Sequence, residues 1–253
     1  MVLPASFELN NGHKIPAVGL GTFQGTEGNA KVKDDVRLAL TLGYRHIDGA
    51  NAYGNEKQIG EAIEESGIPR DQLFVTSKLY TWHDPADVEG ALDASLKDLQ
   101  LNYVDLYLMH FPHAYKAGER NETIRHPSGN GKPVIDYDLS RRYPETWQAM
   151  ERLVDLGKAR SIGLSNFNIL KTKRILEKAR IVPAVNQVEI HPHWVAGRFP
   201  QSGHMQMCHF QRKIQDQLSL HGAIRFLDPS QHIGFDIFDE ENDQPVGSSA
   251  PWD

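Results

Sequence analysis

The chain has 253 residues, 40% hydrophobic and 24% charged, a composition that gives a globular protein with a substantial core. With 27 Lys and Arg against 33 Asp and Glu the net charge is −6, which excludes a general nucleic-acid binder and leaves room for a local basic pocket. One cysteine, Cys208, excludes an internal disulfide and fits a reducing compartment. Met1-Val2-Leu3-Pro4-Ala5 carries no basic region leading into an apolar run, and no stretch is long enough to span a bilayer. A cytoplasmic protein with no membrane partner is therefore expected.

Residues 7–15 read as a small β-hairpin with Asn11-Gly12 at its turn. The apolar run 17–23 is the first strand of a larger sheet, and a helical period over 29–42 is closed by Gly43. The strand 44–48 ends in Asp48. Gly49-Ala50-Asn51-Ala52-Tyr53-Gly54-Asn55-Glu56 then turns into a helix that stops at Gly67. Strand 73–78 follows, and Asp84-Pro85 reads as N-cap and first-turn proline of the next helix. Strand 104–110 ends in His110. A long polar connection, 112–143, is expected to cross the mouth of the sheet, with His113 and Tyr115 nearest His110 and Gly129-Asn130-Gly131 at its tip. A helix from Pro144, strand 159–165, a short helix over 170–178 and strand 182–190 complete the recognisable pattern.

Polar residues interrupt each apolar run at its C-terminal end: Thr22, Asp48, Lys78, His110, Ser165 with Asn166, then Gln187 and Glu189. In a barrel of parallel strands those ends share one face, which carries the active site. A doubly wound sheet would place a glycine-rich phosphate turn after the first strand. Gly19-Leu20-Gly21-Thr22-Phe23-Gln24 lacks the last glycine of that turn and does not open directly into a helix. The fold class is α/β, of the (β/α)8 barrel type, left incomplete because only about six β/α units are recognisable.

Asp48, Tyr53, Lys78 and His110, in that order and on those strand ends, resemble the catalytic tetrad of the aldo-keto reductases. The resemblance covers residues 6–194 and includes Gly19-Leu20-Gly21-Thr22, the stretch from Asp48 to Glu56, Ser77-Lys78, Leu108-Met109-His110 and Gly163-Leu164-Ser165-Asn166-Phe167. It implies a barrel that binds NADPH, or less often NADH, and reduces aldehydes or ketones, sugar-type aldehydes included, to alcohols. Tyr53 would then be the proton donor. A free phenol titrates at about 10, so the donor needs a cation beside it, which Lys78 would supply, with Asp48 orienting the lysine and His110 the carbonyl. Taken singly, Asp48 and Lys78 read equally well as an ion pair at a strand end, and His110 as a buried histidine.

The same resemblance assigns cofactor contacts to Thr22, Asp48, Ser165, Asn166 and Gln187, and a substrate pocket to Phe23, Tyr80 and Phe111, with ordinary aromatic core as the other reading of these three. It ends at Trp194. The family's last two strands, whose turns hold the cofactor phosphates, have no counterpart. The chain is thus divided into a barrel portion (1–194), an atypical segment rich in Gln, His and Met (195–224) and a family-like C-terminal tail (225–253). His204, Cys208 and His209 match no common zinc spacing, so no metal is expected. Two functions follow: an NADP-dependent carbonyl reductase with a small-molecule carbonyl substrate, or a truncated, impaired or non-catalytic isoform of one. A monomer is expected if the barrel closes, and self-association through strand edges if it does not.

Overall fold

Short apolar runs separated by helical periods build a parallel sheet only if each crossover returns the chain to the same side, and here every crossover does. The computed structural model describes residues 4–80, 84–118, 123–125, 127 and 133–188. An antiparallel hairpin, β1 (Ser6–Glu8) with β2 (Lys14–Pro16), comes first. It is followed by β3 (Leu20–Gly21), α1 (Gly25–Thr41), β4 (His46–Asp48), α2 (Glu56–Ser66), β5 (Phe74–Leu79), α3 (Val88–Leu99) and β6 (Val104–Met109). The long connection carries a second small ribbon, β7 (Ala114–Tyr115) with β8 (Ile135–Asp136), and a short helix, α4 (Tyr137–Arg141). Then come α5 (Tyr143–Asp155), β9 (Ala159–Ser165), α6 (Ile169–Lys178) and β10 (Asn186–Gln187).

The main sheet has six strands in the order β3-β4-β5-β6-β9-β10, all parallel. Spatial order equals chain order, so there is no point at which the winding reverses, as a doubly wound sheet requires. The sheet also curls. Gln187 on β10 donates to the Asp48 carboxylate on β4 at 2.7 Å, although β5, β6 and β9 lie between those strands in the sheet. This is the barrel class expected from the sequence, with six strands among the described residues.

Both faces of the central strands are covered, and every residue of β5 and β6 is buried, as parallel strands in this layering require. Outside the curl, Val75, Leu79, Tyr107, Met109, Ile162 and Leu164 pack against helix residues such as Val36, Ile59, Leu92, Trp147 and Met150. Inside it, Phe74, Leu106, Leu108 and Ala184 close on Leu9 from the hairpin. The hairpin turn also donates from Asn10 to the carbonyls of Val182 and Pro183, and from Asn11 to Arg160 O and Ser161 Oγ. It therefore forms a floor at the end where β9 begins, and the C-terminal strand ends stay accessible at the other. Gly12 takes φ +83° in this turn, the left-handed conformation that glycine tolerates.

Several boundaries differ from the sequence reading. Asp84-Pro85 does not start α3; Asp84 accepts from the backbone N–H of Ala86 and Asp87 in a separate turn, and Asp87 takes the N-cap position. α4 was not expected. It is nucleated by Asp136, whose carboxylate accepts from Leu139 N at 2.9 Å, an N-cap hidden in a polar stretch. The strand expected over 182–190 pairs with β9 only from Ala184 onward, since Pro183 has no N–H to give. The segments 195–224 and 225–253, Glu189, the 129–131 tip and His204, Cys208 and His209 lie outside the described residues. No helix among the described residues is long and apolar enough to cross a membrane, and no group of three or more of their His, Cys, Asp and Glu side chains is placed to hold a metal.

The packing of α2 against α3 has no slack. A methyl added at Gly60 would lie 2.5 Å from Leu99 O and 2.8 Å from Asp98 O, backbone atoms that cannot step aside alone. Gly60→Ala is expected to destabilise the fold by roughly 1–3 kcal/mol, read as a lower urea midpoint with an unchanged m-value.

Candidate active site

Lys78 is the penultimate residue of β5, pointing into the curl and almost completely buried. An ammonium there must find an acceptor for each of its three protons. Lys78 Nζ meets Asp48 Oδ1 at 2.5 Å, Gly49 O at 2.8 Å and Tyr53 Oη at 3.3 Å. Asp48 is the last residue of the neighbouring strand and offers its second oxygen to Gln187. The carboxylate thus bridges the lysine on one side and the far edge of the sheet on the other.

Tyr53 ends a single turn of 3-10 helix, Asn51–Tyr53, closed by Gly54 at φ +67°. Two amides fix this turn to the first β/α unit. Asn29 Nδ2 on α1 donates to Tyr53 O at 2.9 Å, and Asn55 Nδ2 donates to Asn29 Oδ1 at 3.1 Å and to Thr22 O at 2.8 Å. Sequence reasoning missed Asn29 and assigned Asn55 no role. The one signal was the amide-rich composition of the turn, which does not say which amides face inward.

His110 follows β6 directly and is 6% exposed. Its ring stacks on Phe111 with centroids 4.7 Å apart and meets the Tyr53 ring in a T-shaped contact with centroids 5.6 Å apart. Burial, and then the charge of Lys78, push its pKa down to about 3, so the ring is neutral at physiological pH. Its Nδ1 is buried without a hydrogen-bond partner. Phe23, 59% exposed, lies 5.0 Å from the Tyr53 ring. The rings of Phe111, His113 and Tyr115 continue the wall at 5.1 and 5.2 Å spacing. Tyr80 Oη, at the end of β5, meets Thr123 Oγ1 at 3.1 Å and so pins the long connection over the site.

The residues expected to contact a cofactor form a second group. Ser165 Oγ donates to Gln187 O at 3.0 Å, and Asn166 Nδ2 donates to His110 O and to Ser165 Oγ. Asn166 takes φ +63° to reach them, a conformation asparagine tolerates better than most residues. Thr22 stands apart: its buried hydroxyl donates to Asp48 O, which fastens β3 to the end of β4.

A sequence model described as the aldo/keto reductase family matches residues 17–213. The chain belongs to this family. It is similar to aldo-keto reductase family 4 member C11 of Arabidopsis thaliana, 49% identical over 74% of this chain and 57% of the relative. Aldo-keto reductase family 1 member A1 of Xenopus tropicalis is 50% identical over 73% of this chain and 56% of that protein. The solved structure of the aldose reductase from Schistosoma japonicum superposes with a TM-score of 0.68 at 42% identity, over 75% of this chain and 62% of that one. The chain therefore spans somewhat more than half the length of the curated relatives it matches, and its fold is the aldose reductase type of barrel.

The buried histidines give this aldo-keto reductase chain an acid-sensitive stability. His46, whose Nε2 lies 3.0 Å from Thr76 Oγ1, and His110 are both held below the ordinary histidine range, chiefly by burial. The unfolded chain binds protons that these rings refuse. Their contribution is therefore intact above about pH 6.5 and is lost as pH falls from there, toward about 3 for His110. Urea unfolding at pH 7 and pH 5 is expected to show a smaller loss of stability for His110→Asn than for the parent chain.

Proposed function

We propose that this chain is a nicotinamide-dependent carbonyl reductase, acting on aldehydes or ketones, with NADPH as the expected cofactor and NADH the alternative. The observation that carries the reading is the arrangement of Lys78: a fully paired buried ammonium set against a phenol oxygen, beside a histidine kept neutral. A structural ion pair needs Asp48 and Lys78. It needs neither the tyrosine hydroxyl on the third proton nor a neutral imidazole at the same opening.

Each residue then has a task. Tyr53 Oη gives its proton to the carbonyl oxygen, and the Lys78 ammonium stabilises the phenolate that remains. Asp48 fixes the lysine and balances its charge. His110 stays neutral and supplies a polar edge toward the same oxygen. A bound reduced nicotinamide supplies the hydride. Asn166 Oδ1 and Gln187 Oε1 accept no hydrogen bond from the described residues, while Ser165 Oγ keeps acceptor capacity. That set suits a carboxamide, so Ser165, Asn166 and Gln187 are the residues that would hold the nicotinamide end. Phe23, Tyr80 and Phe111 would line the substrate opening, favouring carbonyl compounds with an apolar or extended body.

A second reading, a reductase impaired in cofactor binding, is favoured by the short coverage of the relatives and by the absence after Trp194 of sequences resembling the family's phosphate-binding turns. Each charge-assisted phosphate contact is worth roughly 1.5–3 kcal/mol, so losing two or three costs several orders of magnitude in affinity.

Two measurements test these readings. Tyr53→Phe is expected to abolish aldehyde reduction while leaving NADPH binding unchanged, since only the donated proton is removed; undiminished turnover would refute the assignment of Tyr53. Calorimetry with NADPH is expected to give an affinity well weaker than micromolar, and submicromolar binding by the monomer would refute the impaired-cofactor reading.

A further inference from the structure

Behind the site, on the helix side of β5, a carboxyl group is buried that the proposed reaction does not use. Glu56 is the first residue of α2 and is 3% exposed. An acid at a helix start commonly faces water, where it complements the helix dipole. This one turns inward. Ser77 Oγ donates to its Oε1 at 2.6 Å and Asn51 Nδ2 to its Oε2 at 3.2 Å. Ser95 on α3 is a further hydrogen-bonding neighbour, and Asn51 Nδ2 reaches Ser95 Oγ at 3.5 Å as well. Burial raises the carboxyl above its ordinary range, and the bonds from Ser77, Ser95 and Asn51 work against that rise.

What matters is where these partners sit. Asn51 opens the three-residue turn that ends in Tyr53. Ser77 immediately precedes Lys78 on β5. The carboxyl therefore joins, from behind, the same two segments whose front faces meet where Lys78 Nζ touches Tyr53 Oη. That front contact, at 3.3 Å, lies at the long end of the hydrogen-bond range, so a small shift of the turn relative to the strand breaks it. Asn29 and Asn55 tie the turn toward α1 and β3; Glu56 ties its first residue to β5 from behind, while Lys78 meets its last residue from the front.

We propose that Glu56 is a positioning residue that, through Asn51 and Ser77, sets the Tyr53 turn against β5 and keeps the Tyr53 hydroxyl on the Lys78 ammonium. Its kinetic consequence rests on the reading of Tyr53 as proton donor; its geometric consequence does not. Glu56→Gln keeps the size of the side chain and replaces one accepting oxygen with a nitrogen that cannot accept. Ser77→Ala removes a single hydroxyl and serves as the second variant should Glu56→Gln fail to fold.

The test uses the full chain labelled with 13Cζ-tyrosine, with the Tyr53 signal assigned by its loss in Tyr53→Phe. Both variants are expected to move the Tyr53 signal. Both are also expected to lower kcat for aldehyde reduction roughly tenfold to a hundredfold, with KM and NADPH affinity unchanged. The double variant is expected to be no worse than the poorer single one, because both act on one link. A Tyr53 signal that stays put in folded variants overturns the proposal, whatever happens to the melting temperature, since a support of α2 alone would alter stability without altering the phenol. If the parent chain shows no turnover, the reductase reading fails and the Tyr53 signal still decides this one.

Discussion

An ammonium group buried inside a parallel sheet is the constraint around which this molecule is arranged. Lys78 can stay there only because each of its protons has an acceptor, and each acceptor comes from the β4 end and the turn that follows it: the Asp48 carboxylate, the Gly49 carbonyl and the Tyr53 hydroxyl. Removing the carboxylate would leave an uncompensated charge, a far larger penalty than the pair's net contribution. The register of β4 against β5 pairs Asp48 with Thr76, two residues before Lys78 and on the same face of the strand, which puts the carboxylate within reach of the ammonium. The stabilising interaction and the candidate chemistry are one feature.

The architecture leaves this feature accessible to a small molecule. Because the strands run in chain order and all in one direction, their C-terminal ends, where Asp48, Lys78, His110, Ser165 and Gln187 lie, gather at one rim. The N-terminal hairpin closes the other rim with Leu9 and the amides of Asn10 and Asn11. Polar groups sit at the open end and apolar ones in the middle, so the interior is a packed core with a chemical surface on top, in keeping with how such barrels are filled.

Much of this was legible in the sequence because it depends on local pattern. Strand 159–165 is read without error, Gly43 and Gly67 end their helices at positive φ as helix stops do, and the polar residues closing each apolar run point to the rim that the sheet then assembles. The resemblance to aldo-keto reductases rests on residues separated by tens of positions, and the structure joins Asp48 and Tyr53 through Lys78 and sets the His110 ring in a T-shaped contact with the tyrosine. What was not legible depends on side-chain direction. Asn29, Asn55 and Glu56 look like ordinary helix-start residues, since inward and outward rotamers have the same sequence. Asp84-Pro85 carries every mark of a helix start, yet the backbone turns once more before α3 begins at Val88. The short α4 is hidden by a stretch with no apolar period.

The bond from Gln187 to Asp48 spans 139 residues, and those from Asn10 to Val182 and Pro183 span 172 and 173. Asp48, Tyr53 and Lys78 lie within one short stretch of chain, so their cluster can gather as soon as β4 and β5 pair. The far oxygen of Asp48 and the floor of the barrel must wait for the strand that begins near Ala184. Contacts of such separation carry a high loop-closure cost and come late in folding. A ribosome releasing this chain would thus expose a lysine and carboxylate already joined, with the second carboxylate oxygen open to water until β10 arrives. Among the described residues β10 comes last and acts as the latch that caps the Asp48 carboxylate, and the order of assembly is written into the order of the sheet.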